Sequence, residues 1–81
     1  MAKMRVLSAR GDTVLEWDER KLQTGDPEAL SAVREAERIF EEQRSRGATA
    51  FVVEPDTPAR RIDRFDRTAE QIIVVPRVAG G

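Results

Sequence analysis

The chain has 81 residues, of which 40% are hydrophobic and 36% charged, and its formal net charge is −1. This length fits one small domain with a single core, and charges of mixed sign favour a folded chain over a disordered one. Without a basic block there is no reason to expect a nucleic-acid partner, and without Cys or His disulfide scaffolds, thiolate nucleophiles and most zinc sites are excluded.

The first predicted element is a β-hairpin. Short apolar runs at residues 4–7 and 13–17 flank a Gly-Asp turn signal, and alternation places Leu15 and Trp17 on one face. Residues 10–12 also spell the adhesion tripeptide Arg-Gly-Asp. In a chain without secretion features, turn chemistry is the better explanation of that tripeptide.

A long amphipathic helix is predicted next, from Asp26 to about Arg46. Asp26 can cap the first amide groups, Pro27 suits the first helical position, and Gly47 suits a left-handed helix end. Apolar residues recur at spacings of three and four, which indicates a stripe that packs on a sheet rather than a partner-binding surface. The stripe consists of Ala29, Leu30, Ala32, Val33, Ala36, Ile39 and Phe40.

Two further strands are predicted after the helix. Residues 48–54 alternate so that Phe51 and Val53 are expected on the inner face. Residues 72–75 are all apolar β-formers, which is typical of a strand buried on both faces and therefore central in its sheet. Its expected neighbour is the first strand, in parallel orientation. Pro76 ends the strand because proline has no amide hydrogen to donate.

The segment between these strands, residues 59–71, is the least regular part of the sequence. Ile62 and Phe65 are its expected anchors to the core. The charged run at residues 63–67 fits either a docking patch or a solvated loop or short edge strand, and the second interpretation is favoured. Asp63 and Asp66 could contact a cation but lack the ligand density of a calcium loop, so no metal site is predicted.

No catalytic constellation is predicted either, since the sequence contains no Gly-rich phosphate loop and no nucleophile elbow. The expected fold is α+β, with one main helix across a mixed sheet of four to five strands. Residues 1–77 would form the domain, and residues 78–81 a tail that is mobile in the free protein. The predicted core contains Trp17, Leu30, Val33, Phe40, Phe51 and either Ile73 or Val74.

The last residues resemble those of ubiquitin-like β-grasp proteins. The apolar strand is followed by Val75, Pro76, Arg77, Val78, Ala79, Gly80 and Gly81. This order is similar to that of the prokaryotic sulfur carriers related to the molybdopterin-synthase small subunit and the thiamine sulfur carrier. The chain departs from those carriers at Arg77, where a second proline is common, and in its longer helix.

The resemblance implies a carrier rather than an enzyme. An adenylating partner would use ATP to convert the Gly81 carboxylate into an acyl-adenylate, and then into a thiocarboxylate for a sulfur-accepting enzyme or an amide with a target-protein lysine. Gly80 and Gly81 would pass through a narrow channel, with Val78 and Ala79 contacting the partner and Arg77 pairing with an acidic residue at the channel mouth. No bound cofactor is implied.

The expected setting of such a carrier is the cytoplasm, as a monomer without membrane contact, because no signal peptide, membrane-spanning run or lipidation motif is present. The alternative is a β-grasp adaptor that binds partners non-covalently, with no chemistry at the Gly-Gly pair.

Overall fold

The computed structural model describes residues 1–77. The predicted tail, residues 78–81, lies outside the described residues. Within residues 1–77, five strands and two helices follow one another in chain order. They are β1 (Ala2–Val6), β2 (Thr13–Trp17), α1 (Glu19–Gln23), α2 (Pro27–Ser45), β3 (Thr49–Val52), β4 (Arg60–Ile62) and β5 (Gln71–Val75). The fold is α+β, with α2 packed across one face of a single mixed sheet.

Strand β5 is central in this sheet, whose order is β2-β1-β5-β3-β4. It pairs in parallel with β1 and antiparallel with β3, which confirms the predicted position and neighbour. The expectation that both of its faces are buried is wrong. Ile72 and Val74 are fully buried beneath α2, whereas Ile73 and Val75 on the other face are half-buried because no helix covers that face within residues 1–77.

The predicted limits of α2 are confirmed. An Asp26 carboxylate oxygen accepts a hydrogen bond from the Ala29 amide at 3.1 Å, so the side chain satisfies one of the unpaired amides that every helix start leaves. Pro27 occupies the first turn. The helix ends before Gly47, whose φ of 92° lies in the left-handed region that glycine adopts without steric cost.

The core lies between α2 and the sheet. Of the predicted core residues, Trp17, Val33, Phe40 and Val74 are buried. Leu30 is not part of this core: it is half-buried and lines a surface depression beside Ser31 and Arg34. The buried side of α2 consists of Ala29, Val33, Ala36 and Phe40. Each residue advances a helix by about 100°, so Leu30 is turned towards the rim of the stripe.

Strand β3 faces the opposite way from the prediction. Ala50 and Val52 lie beneath α2, with 0% and 2% of their surface exposed, and Phe51 is turned to the other face and half-buried. Val53, the other residue expected inside, is also half-buried, on the outer side. Since both faces of this strand are apolar, polarity does not decide its orientation. The small side chain of Ala50 leaves room for the helix, which a phenylalanine at that position would fill.

Three aromatic rings join the irregular segment to the core. The ring centre of Phe65 lies 5.8 Å from that of Trp17 and 5.7 Å from that of Phe40, distances typical of favourable aromatic pairs. Ile62 is also buried. Both residues are therefore confirmed as anchors. The short helix α1 was not predicted, and Asp18 caps it by accepting hydrogen bonds from the amides of Arg20 and Lys21.

Asp66 fixes the turn that leads from β4 to β5. Its Oδ1 accepts hydrogen bonds from the Thr68 amide at 2.9 Å and from the Thr68 hydroxyl at 2.6 Å. These hydrogen bonds hold the pKa of Asp66 below its usual value, with a smaller electrostatic contribution from Arg60, although partial burial opposes the shift. The ionised carboxylate is therefore the form that the folded chain stabilises.

Replacing Phe40 by Ala tests the position of the core. Phe40 is fully buried, so Phe40→Ala is expected to lower the free energy of unfolding by ~3–5 kcal/mol through lost burial and a residual cavity. Phe51→Ala removes the same atoms from the half-buried outer face and should cost clearly less. Urea unfolding of both variants measures the difference, and equal losses would contradict this assignment of faces.

Replacing Asp66 by Asn tests the turn as a function of pH. A carboxyl whose pKa is lowered by folding contributes stability above its ordinary value of about 3.9, and this is lost as pH falls through the lower, folded value. Asp66→Asn should therefore cost ~1 kcal/mol near pH 7, and the difference should shrink in urea titrations below about pH 4. Glu54→Gln removes the same charge from an exposed side chain outside this turn and should cost clearly less near pH 7. A pH-independent cost of Asp66→Asn would refute the assignment.

Candidate interaction surface and base of the C-terminal segment

Only one of the predicted site residues lies in the described part of the chain. Arg77 is exposed and follows the half-buried Pro76 directly after β5. The other four predicted site residues, Val78, Ala79, Gly80 and Gly81, lie outside the described residues. The structure therefore fixes where the C-terminal segment begins: at the end of the central strand of the sheet.

The side chain of Arg77 lies over the turn that ends α2. A Cβ atom placed on Gly47 would lie 3.1 Å from Cδ and 3.6 Å from Cβ of Arg77, so the aliphatic stem of the arginine crosses this glycine closely. Within residues 1–77 the Arg77 guanidinium forms no ion pair within 4.0 Å. The carbonyl groups at a helix C-terminus favour a nearby cation, which gives Arg77 a reason to lie there.

The sheet face opposite α2 carries a continuous row of five side chains, one from each strand. In the strand registers, Arg5 lies between Val14 and Ile73, and Phe51 lies between Ile73 and Arg61. Residues opposite one another in a sheet point to the same face. The row therefore runs Val14, Arg5, Ile73, Phe51, Arg61, and we call this face of the sheet the open face.

Apolar side chains occupy the middle of the open face. Ile73 and Phe51 are half-buried, as are Val75 and Val53 next to them. Val14, at one end of the row, is 43% exposed. Leu22 of α1 packs on the core cluster, as the buried side of α2 does, so both helices cover the opposite side of the sheet. An apolar centre with a polar surround is the composition of a protein-binding surface.

Basic side chains surround this apolar centre. Arg5 and Arg61 flank it within the row, and Lys3 lies one row away, opposite Glu16. Arg5 Nε lies 3.8 Å from a carboxylate oxygen of Asp12, and both side chains are about two-fifths exposed. Partly exposed pairs of this kind contribute little to stability. The Arg5 guanidinium can therefore exchange Asp12 for a carboxylate on a partner. Arg61 has no ion pair among residues 1–77 and can bind such a carboxylate as well.

The charged side chains of the described residues lie at or near the surface. Across residues 1–77 there is no buried charged side chain, no group of three potential metal ligands and no helix long and apolar enough to cross a membrane. Besides Asp66, the shifted groups are on the outer surface of α2, where hydrogen bonding to Arg38 lowers the pKa of Glu35 and raises that of Arg38. The open face can thus supply recognition of a partner.

The open face was not predicted as a site. Phe51 was expected in the core, and Ile73 and Val74 were alternatives for one core position. The available signal was that every residue in 72–75 and in 50–53 is apolar, so that both faces of each strand carry apolar side chains. With a single long helix in the sequence, only one face of two such strands can be covered.

The chain was compared with protein-family models, with curated proteins and with solved structures, and no match was found. Its function is therefore inferred from its own residues. The two features that carry the inference are the central strand that leads into the C-terminal segment and the open face beside it.

The contact between Arg77 and Gly47 can be tested by a double-mutant cycle. Gly47→Ala should cost more than ~1 kcal/mol, because an alanine at a φ of 92° is strained and its methyl group would displace the arginine stem. In an Arg77→Ala background there is no arginine stem to displace, so the loss of stability caused by Gly47→Ala should be smaller.

Gly25→Ala is the matched control for this cycle. Gly25 also has a positive φ, 79°, but a Cβ there would meet nothing within 4 Å. Its penalty, measured by urea unfolding, should be the same with Arg77 or Ala at position 77. An identical Gly47→Ala penalty in both backgrounds would show that Arg77 does not lie against the helix end.

Proposed function

We propose that this protein is a carrier of the ubiquitin-like β-grasp type, whose Gly81 carboxylate is activated by a partner enzyme at the expense of ATP. The observation that carries the proposal is the central position of β5, directly followed in the sequence by Pro76-Arg77-Val78-Ala79-Gly80-Gly81. The mixed sheet with a parallel β1–β5 pair at its middle and one long helix across it is compatible with a β-grasp.

A central strand gives the C-terminal segment a fixed starting point. Hydrogen bonds to β1 and β3 hold β5 from both sides, and the stem of Arg77 lies against Gly47. The four residues after Arg77 span at most about 14 Å when extended. An activating enzyme that reaches Gly81 must therefore contact the domain close to the end of β5.

The open face supplies a surface for that contact. Ile73 and Val75 belong to β5 itself, so the apolar centre is continuous with the strand that leads to Arg77. A partner that covers Ile73 and Phe51 would remove their apolar surface from water, which is favourable by about 25 cal/mol per Å². Arg5 and Arg61 would then pair with acidic side chains around the partner's binding surface.

The chemistry at Gly81 would follow two steps on the partner. The carboxylate attacks the α-phosphorus of ATP, which forms an acyl-adenylate and releases pyrophosphate. Attack by a hydrosulfide then gives a thiocarboxylate and AMP, and attack by a lysine amine gives an amide and AMP. Small residues next to the reacting carbon would suit a narrow channel, since glycine brings no side chain into it.

A second candidate function is a non-covalent adaptor of the same fold. The row of exposed apolar and basic side chains on the open face favours it, because this surface can bind a partner whether or not Gly81 reacts. The adaptor and the carrier differ in one respect only: the carrier requires Gly81, and the adaptor does not.

The proposal is tested by ATP–pyrophosphate exchange with the adenylating enzymes encoded in the source genome, each purified. The full chain should support exchange, and mass spectrometry should detect an adenylate, a thiocarboxylate or an amide conjugate. Deletion of Gly81 should abolish exchange at every protein concentration and leave the urea midpoint unchanged. If the deleted chain is still activated, the carrier proposal is wrong.

Open-face variants give the second arm of this experiment. Ile73→Arg should raise the protein concentration needed for half-maximal exchange by about tenfold, equivalent to ~1.4 kcal/mol of binding, while exchange at saturation persists. Leu30→Arg is the matched control, since Leu30 is also half-buried but belongs to α2 on the other side of the sheet. Equal effects of the two variants would exclude the open face as the docking surface.

A further inference from the structure

The segment from Arg60 to Arg67, which we call the arginine segment, is a second charged surface. It contains Arg60, Arg61, Arg64, Arg67, Asp63 and Asp66. Its net charge is therefore +2, in a chain whose total is −1. All eight residues of the segment line one shallow depression of ≈ 570 Å³. The four arginines thus lie along one depression at this edge of the sheet, with Arg61 on the open face and its neighbour Arg60 on the opposite face.

Both aspartates of the segment are occupied by contacts within the chain. Asp63 Oδ1 accepts a hydrogen bond from Arg44 Nη2 at 3.2 Å, and Asp66 holds the turn at Thr68. Among residues 1–77, none of the four arginines of the segment has a carboxylate within 4.0 Å. Only Arg60 is close enough to Asp66 to lower its pKa further. The four guanidinium groups are therefore available to an external anion.

The backbone beneath these arginines is fixed. Phe65, in the middle of the segment, packs against Trp17 and Phe40, and Ile62 is buried. The arginines are thus displayed from anchored positions. Ordering them on a ligand costs side-chain entropy but little backbone entropy.

The segment begins with β4, an edge strand of the sheet. Alternate residues of an edge strand direct their N–H and C=O groups away from the sheet, where they can pair with another strand. Arginines on such an edge repel a second copy of the same edge and so act against self-association. The same charges attract a strand that carries carboxylates.

We propose that the arginine segment binds an acidic, extended peptide of a partner protein, which adds as a strand beside β4. Main-chain hydrogen bonds would hold the peptide along the edge. Carboxylates of the peptide would pair with the guanidinium groups on the same face of the sheet, which bind them bidentately. This interaction does not depend on the chemistry at Gly81, because it involves the β4 edge of the sheet and none of the residues after Arg77. Arg61 is the one residue that it shares with the open face.

A protein segment fits this surface better than a nucleic acid does. The phosphates of a nucleic acid are neutralised by Lys and Arg side chains, and here Asp63 and Asp66 interrupt the arginines and would repel them. An extended peptide can place its acidic residues at intervals and leave apolar or small residues opposite the aspartates. The net charge of −1 for the whole chain also disfavours non-specific attraction of nucleic acids.

The probe for this proposal is a fluorescein-labelled peptide that alternates Glu with Thr or Val, added to the full chain and followed by fluorescence anisotropy. The double variant Arg61→Gln/Arg64→Gln should lose about tenfold or more in affinity, as expected for the loss of charge-assisted hydrogen bonds. The matched control, Arg20→Gln/Arg34→Gln, removes the same charge from exposed arginines outside the segment and should change affinity less than about twofold. Equal losses would overturn the proposal.

Two further arms test strand addition. A peptide with N-methyl groups on alternate amides keeps its charge but loses the N–H groups that would donate hydrogen bonds to β4. It should bind clearly more weakly than the parent peptide. In NMR spectra of the complex, the amide chemical shifts of residues 60–62 should change, and their hydrogen exchange with solvent should slow. Unchanged affinity of the methylated peptide would overturn the strand-addition geometry.

The final arms separate this proposal from the other possibilities. The chain lacking Gly81 should bind the peptide as the full chain does, so failure of the carrier proposal would leave this result intact. A single-stranded oligonucleotide should bind more weakly than the peptide. Tighter oligonucleotide binding that depends on Arg61 and Arg64 would assign the surface to nucleic acid and refute the peptide proposal.

Discussion

The pairing of β5 with β1 on one side and β3 on the other is the interaction on which the remaining structure depends. Without β5 the sheet separates into two hairpin-like pairs, β1–β2 and β3–β4, which share no strand. Two-stranded units of this kind are marginally stable at best in water. Ile72 and Val74, both fully buried, pack the central strand against α2. The fold therefore requires a strand that follows the other four in the sequence. Its contacts with β1 are among the most distant in the sequence, which is typical of slower folding.

The two faces of β5 have different roles, and the alternation of side chains along a strand is the cause. One face contributes Ile72 and Val74 to the core, and the other presents Ile73 on the open face. A substitution that shifted the strand by one residue would exchange these roles completely. The requirement to bury the core thus fixes the surface that is shown to partners. Position and identity of the candidate docking residues follow from the same register that holds the domain together.

The elements that the sequence predicts well are those with local signals. The Asp26 cap, the Gly47 end and the apolar stripe define α2 almost to the residue, and the all-apolar run at residues 72–75 identifies the central strand. The orientation of β3 could not be predicted in this way, because Phe51 and Ala50 are both apolar and only the space beneath α2 decides between them. Leu30 was misplaced for a similar reason, since one helical step separates the buried stripe from its rim.

The candidate sites show the same limit. The Gly-Gly pattern is visible in the sequence, whereas the row from Val14 to Arg61 depends on four strand registers that no local pattern contains. The free arginines of residues 60–67 are another example. Their charge balance looks ordinary in the sequence, and only the structure reveals that Asp63 and Asp66 are occupied elsewhere.

The parallel alignment of β1 and β5 has a practical consequence for handling the protein. Parallel neighbours run in the same direction, so residues that precede Ala2 leave the sheet at one end and residues that follow Val75 leave at the other. The strands are five residues long, which separates the two exits by roughly 17 Å. An affinity tag or fluorescent protein fused ahead of Met1 would therefore lie away from Arg77. A circular permutant, by contrast, would need a linker that crosses the length of the sheet.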